Sequence, residues 1–326
     1  MLSIVIAADA TAAVTETPVI SLPMRGVLSL TLAPTGIAGR GTSGPAAGAQ
    51  QPDPPGKADV ERLSTISRIR IDIQRIAPPD RLGSAMNTYV AWAISPEGRA
   101  ENVGELSLAD GKARLETVTR LDRFGLLITA EPHYLVDLPG ASVAYIARAP
   151  ATNSTRHVAV ETGKRSYADL KLAPAKAGTM TVVTQARAAL EIARSAGAER
   201  LAENEFRLAR VAIETMEAML ARSNPPDVVI PAAHDAIRHS ARAAAVARDF
   251  AAGRDSGFNF GDDLFDKATG ILNAAGRDAV QRMASAIPLW NGPLRIQCSA
   301  AAVPIARNAL IQAGIPEDRL VFITAP

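Results

Sequence analysis

The hydrophobic period changes along this 326-residue chain, and that change restricts its fold more than any composition figure. Between Ile69 and Ile73 apolar residues alternate with Arg70 and Asp72, the period-two signature of a half-buried strand. Across residues 178–253 the spacing becomes three to four, which belongs to amphipathic helices. From Phe258 onward, strand-length apolar runs alternate with helix-length amphipathic ones. One domain cannot carry all three patterns at this length, so a multidomain α+β chain is expected. The expected organisation is a signal or flexible linker at 1–57, an antiparallel β-sandwich at 58–150 and a linker at 151–177. A helical hairpin or three-helix segment follows at 178–253, then a C-terminal βαβαβ α/β sandwich at 256–326.

In the β-rich part, strands are predicted around Ile66–Ile76, Thr88–Ser95, Val103–Leu108, Ala113–Thr119, Gly125–Ala130 and Ser142–Ala147. Turn chemistry separates them at Pro96-Glu97-Gly98, Asp110-Gly111 and Pro139-Gly140. Tyr89 and Trp92 on an apolar strand are read as core rather than as a ligand platform. Glu131 and His133, two apart, are read as a surface pair, because no second carboxylate or nucleophile is placed beside them.

In the helical segment, helices are expected on either side of Gly197, with a third from about Pro226. On the middle helix Leu201, Leu208, Val211, Ala212, Thr215 and Met219 form one apolar stripe, and Phe206, Ile213 and Leu220 a neighbouring one. Both are expected to be buried. Glu203, Arg207, Arg210, Glu214 and Glu217 make its solvated face, with i,i+4 pairs. His234 and His239 are five apart and point in different directions, so they do not form a zinc helix.

Composition narrows function. Thirty-five basic residues against 33 acidic ones, spread along the chain, leave a formal charge of +2 and point away from a nucleic-acid partner. The single cysteine, Cys298, excludes an intramolecular disulfide and a cysteine-based zinc site, and it reads as a small buried apolar residue. No run reaches the roughly 18 apolar residues of a membrane helix, so no transmembrane helix is expected. The stretch beginning at Met24, with Arg25, the apolar GVLSLTLAPTGIAG and the small residues Ala46–Gln50, reads as an export signal cleaved near Gln50. Gly39, Gly41 and Gly44 match a dinucleotide-loop spacing, but the PAAGAQQPDPPG that follows cannot start the required helix, so no cofactor is expected.

Three resemblances set these segments in context. YVAWAISPEGRAENVGEL with FGLLITAEP resembles the extracytoplasmic β-domain of anti-sigma-K-type proteins, without their membrane span. The QARxALExARxAGA pattern resembles a small helical-hairpin domain found ahead of OmpA-like domains in bacterial envelope proteins. The FNFGDDLF opening, the LNAAGRDAVQRM helix start, the GPLRI strand and ARNALIQAGIPEDRL are similar to the OmpA-like peptidoglycan-associated domain. In that family an Asp in the loop after the GPLRI-like strand, and an Arg early in the next helix, hold a wall-peptide residue through opposite charges. Here that loop is Ser299-Ala300-Ala301-Ala302-Val303. Ala302 stands at the Arg position, and no Asp lies between Cys298 and the helix. The resemblance therefore implies a degenerate domain in an exported, non-catalytic scaffold of the periplasm or outer envelope, with peptidoglycan or another envelope protein as partner. A second reading keeps residual wall affinity through Arg295, Arg307 or Asn308. A third is a hydrolase built from dispersed carboxylates such as Glu131 and Asp137, which no Ser/His/Asp order, metal spacing or phosphate loop supports.

Overall fold

The computed structural model describes residues 13–23, 26–35, 53–149, 156–165, 167, 180–251, 258–266, 269, 271–286 and 294–324. The fold is mixed α/β, and the chain divides into two compact units at Glu191/Ile192.

The first unit is built on strands β1 (Ala13–Ser21), β2 (Val27–Pro34), β3 (Gly56–Leu63), β4 (Ile66–Ile73), β5 (Thr88–Ile94) and β6 (Ala100–Glu105). β7 (Ser107–Ala109), β8 (Lys112–Thr119), β9 (Arg123–Glu131), β10 (Val143–Arg148) and β11 (Arg156–Thr162) complete it. The strands expected from residue 66 onward are present, but they do not make two facing sheets. They form one antiparallel sheet in the order β6-β5-β9-β10-β2-β3-β4-β8, with β7 beside β8 and the β1–β11 ribbon branching from β9. The sheet nearly closes on itself. At the seam Thr117 donates its hydroxyl to the Val103 carbonyl at 2.6 Å, and Thr119 donates to Glu101 at 2.9 Å. Inward residues of successive strands, among them Leu32, Val60, Ile71, Tyr89, Ile128 and Tyr145, fill a common interior. Alternation is the same in a sandwich and a closing sheet, which is why the pattern alone suggested the commoner architecture.

Three segments expected to be signal or linker are strands here. Val27–Pro34, the apolar part of the export reading, is β2. It pairs with β3 on one side and β10 on the other, and Leu30 and Leu32 lie in the interior. β1 and β11 pair from Ala13↔Thr162 to Val19↔Arg156. Met24, Arg25, the Gly39–Gly44 spacing and Ala46–Gln50 lie outside the described residues. β5 is buried on both faces because its outer side is covered as well. A Cβ on Gly125 would stand 2.8 Å from the Pro18 carbonyl oxygen, so glycine lets the ribbon cross β9 at close range.

Helix α1 (Thr181–Ser195) is followed by α2 (Ala198–Leu201), α3 (Glu203–Ala221) and α4 (Pro226–Ala251). Gly197 breaks α1 from α2 as expected, at a φ of +78° that favours glycine. On α3 the buried residues are Phe206, Ala209 and Met216, with Ile213 and Leu220 half-buried. This corrects the expected stripe, because Leu208 and Val211 are 45% and 51% exposed. α3 carries apolar residues on two opposite faces, and period alone does not say which one meets α4. The α4 side supplies small residues, Ala233, Ala236, Ala243 and Ala247, that admit a closely packed neighbour.

The second unit ends in the expected βαβαβ order: β12 (Phe258–Phe260), α5 (Ala274–Ala286), β13 (Leu294–Cys298), α6 (Val303–Gln312) and β14 (Leu320–Thr324). The three strands are parallel, with β13 central. β12 ends at Phe260, and Asp262–Leu264 turn away as a 3-10 helix. Ile296, Cys298, Ala306, Leu310 and Ile315 form the core of this part.

Candidate functional site

The C-terminal strand-to-helix junction is the first place to look for a ligand, because strand ends of α/β units expose backbone groups at the start of the next helix. Here the chain leaves β13 at Cys298, turns through an Ala302 N–H to Ser299 carbonyl hydrogen bond of 2.9 Å, and enters α6 with Pro304 in its first turn. No side chain caps that helix. Ala302 is only 5% exposed and packs in the core with Ala306 and Leu310. A long cationic side chain there would have to displace packed apolar groups. Burial raises the Cys298 thiol pKa, which opposes thiolate chemistry.

Arg307 and Asn308 are exposed neighbours on α6, whereas Arg295 stands on β13 opposite Val321, its side chain outside the described residues. Arg307 is already engaged. Its guanidinium lies 3.2 Å from Glu317 and 5.3 Å over the ring of Phe322.

The first unit holds a different polar centre. Period two places Trp92 on β5, and Thr129 and Glu131 on β9, on the outer face of the sheet, yet all three are fully buried. The Trp92 indole donates to the Thr129 hydroxyl at 2.8 Å, and Thr129 donates to Glu131 Oε1 at 2.5 Å. The Gly140 amide reaches the same oxygen at 2.6 Å. Glu131 Oε2 has no hydrogen-bond partner among the described residues. Burial pushes the Glu131 pKa up to about 8, with the nearby Asp137 charge adding to it. The bonds from Thr129 and Gly140 act the other way. At neutral pH the group is therefore a protonated acid. A Cβ on Gly140 would come within 3.0 Å of Oε2, so the turn closes down on the carboxyl without room for a larger residue.

Beside this centre, Gln185 of α1 donates to Glu105 at 2.7 Å and accepts from the Tyr134 amide at 3.0 Å. Asn102 donates to the carbonyls of Tyr134 and Val136. These bonds hold the 132–136 loop against β6. His133, expected at the surface with Glu131, is buried, and its Nδ1 accepts from the Leu135 amide at 3.2 Å. Asp137 pairs with Arg165 at 2.9 Å. Glu131 is sealed from solvent and Asp137 is ion-paired, so the two carboxylates of the hydrolase reading do not share an open site. Sequence reasoning missed Gln185 and Gly140, which lie far from Glu131 or beyond its strand. The alternation of Thr129 and Glu131 was the available signal.

A shallow depression of about 370 Å³ lies on the outer face of β3, β4 and β8, lined by Lys57, Asp59, Arg70, Asp72, Arg114 and Glu116. Opposite charges alternate across the strands, as in Asp59↔Arg70↔Glu116, so it presents no single-sign field. Among the described residues no three His, Cys, Asp or Glu side chains gather as a metal site requires, and no helix is long and apolar enough to cross a membrane. The chain matches no family model, no curated protein and no solved structure.

Proposed function

We propose that this chain is a non-catalytic scaffold of the bacterial envelope, in the periplasm or at the outer envelope, whose C-terminal part is an OmpA-like domain without its wall-peptide groups. The observation that carries the proposal is the neutral Ser299–Ala302 turn with Ala302 packed in the core. Wall-peptide capture needs an anion and a cation at close range. The turn offers neither, and the nearby Arg307 is held by Glu317 and Phe322. The neutral, buried Glu131 centre supports the same reading for the first unit, since a sealed acid between β9 and the 140 turn can hold structure but cannot reach a substrate. The layout proposed is a β-domain, a helical hairpin and a βαβαβ domain. Cleavage near Gln50 would remove β1 and β2 from the sheet.

Titration calorimetry of the full chain with a diaminopimelate-containing peptide at physiological salt tests the proposal. No saturable heat is expected. Saturable binding lost on Arg307→Ala would overturn it in favour of a working wall site.

A further inference from the structure

Glu131 is shut in by the loop that follows its own strand. Oε1 takes both donors in reach, the Thr129 hydroxyl and the Gly140 amide, while Oε2 has no hydrogen-bond partner among the described residues. A Cβ on Gly140 would stand 3.0 Å from Oε2, so the closed turn leaves that oxygen no hydration from its side. No residue from Pro132 to Ser142 belongs to a strand or helix, so this segment can lift without breaking a ladder. Its ties are single polar bonds. The Tyr134 amide is held by Gln185 of α1, the Tyr134 and Val136 carbonyls by Asn102, Asp137 by Arg165, and the Pro139 carbonyl by the Gly163 amide at 3.0 Å.

A carboxylate needs water or donors on both oxygens, and the closed loop serves only one of them. We propose that the 132–141 segment is a pH-sensitive latch: it closes over the outer face of β5 and β9 while Glu131 is protonated, and loss of that proton favours an open form in which the Gly140 turn lifts and water reaches the carboxylate. Burial holds the Glu131 pKa at about 8, the Thr129 and Gly140 donors oppose that rise, and the Asp137 charge adds to it. β5 brings only uncharged residues to this face. Glu105 on β6 is engaged by Thr88 and Gln185, and His133 in the loop is buried. Arg187 of α1 is half-buried, and Asp80 and Arg81 of the 79–82 turn are exposed. In the open form the carboxyl ionises near its ordinary value of 4.5. The closed form therefore binds the proton more tightly, and the open-to-closed ratio rises about ten-fold per pH unit between roughly pH 5 and 8, then levels off.

Native-state hydrogen exchange of the full chain, read by NMR, follows this directly, since protection factors divide out the intrinsic pH dependence of exchange. Protection of the Tyr134, Gly140 and Gly163 amides should fall about ten-fold per pH unit from pH 5 to 8. At pH 7 it should lie at least about ten-fold below that of the ladder amides of β3 and β4, because the loop opens without the sheet. In Glu131→Gln the side chain never ionises, and loop protection should not change with pH. In Asp137→Asn the levelling-off point should move to lower pH, because a charge that opposes ionisation is gone. Loop protection that is flat with pH in the wild type, that changes equally in Glu131→Gln, or that matches the β3 and β4 ladder would each overturn the proposal, as would a levelling-off point that Asp137→Asn leaves in place.

Discussion

Glu131 illustrates how one residue can tie pH to stability. The unfolded chain ionises this group near the ordinary value of 4.5, whereas the folded chain keeps the proton up to about 8. Between those values the native state holds more protons, so stability falls as pH rises through the window and levels off above it. Glu131→Gln keeps a neutral side chain that can still accept from Thr129 and Gly140. Urea midpoints followed by Trp fluorescence should therefore fall less between pH 5 and pH 8 in the variant than in the wild type. Equal slopes would mean that Glu131 is not the titrating group. The test concerns the slope, since the amide's added donors at the Oε2 position lower stability at every pH.

At the scale of elements, several motifs that read as family signatures are backbone devices. Leu310, Gly314 and Ile315 close α6. Gly314 adopts a φ of +89°, its amide reaches the Ile311 carbonyl at 2.9 Å, and the Ile315 amide reaches Leu310 at 3.1 Å while its side chain enters the core. Likewise Asn273 caps the start of α5 through the Gly276 amide at 3.0 Å, and a Cβ on Gly276 would stand 2.4 Å from the Leu264 carbonyl oxygen. Such residues constrain a fold and leave its ligand open. The two faces of α3 separate by substitution. Phe206→Ala should cost about 3–5 kcal/mol through the cavity it leaves. Leu208→Ala, measured in dilute protein, should stay within about 0.5 kcal/mol because its side chain is largely in water. Comparable losses at both positions would place the wrong face against α4.

For the whole molecule, the near-closed sheet depends on strands brought from both ends of the first unit. β2 sits between β10 and β3, and removing it would expose two unpaired strand edges together with interior residues such as Val60 and Tyr145. A chain starting at Gln51 should therefore fail to give a cooperative unfolding transition for this unit, whereas the full chain gives one. A truncated protein with native-like near-ultraviolet dichroism would show that β1 and β2 are dispensable. N-terminal sequencing from the native host addresses the same point in the cell.

Local order was legible in the residues themselves. The strands from Ile66 to Ala147, the break at Gly197 and the βαβαβ order at the C-terminus follow from period, turn chemistry and caps, all of which act within a few residues. The neutral loop at Ser299–Ala302 was equally plain, since missing charge is a property of composition. Tertiary structure alone decided the rest. Thr162 accepts or donates across to the Ala13–Thr15 end of β1 from 149 or 147 residues away, and nothing local in either segment names the other as its partner. The choice between the two apolar faces of α3 waited on α4. The burial of Glu131 waited on the Gly140 turn, because burial is set by what covers a residue, and the covering segments come from elsewhere in the chain.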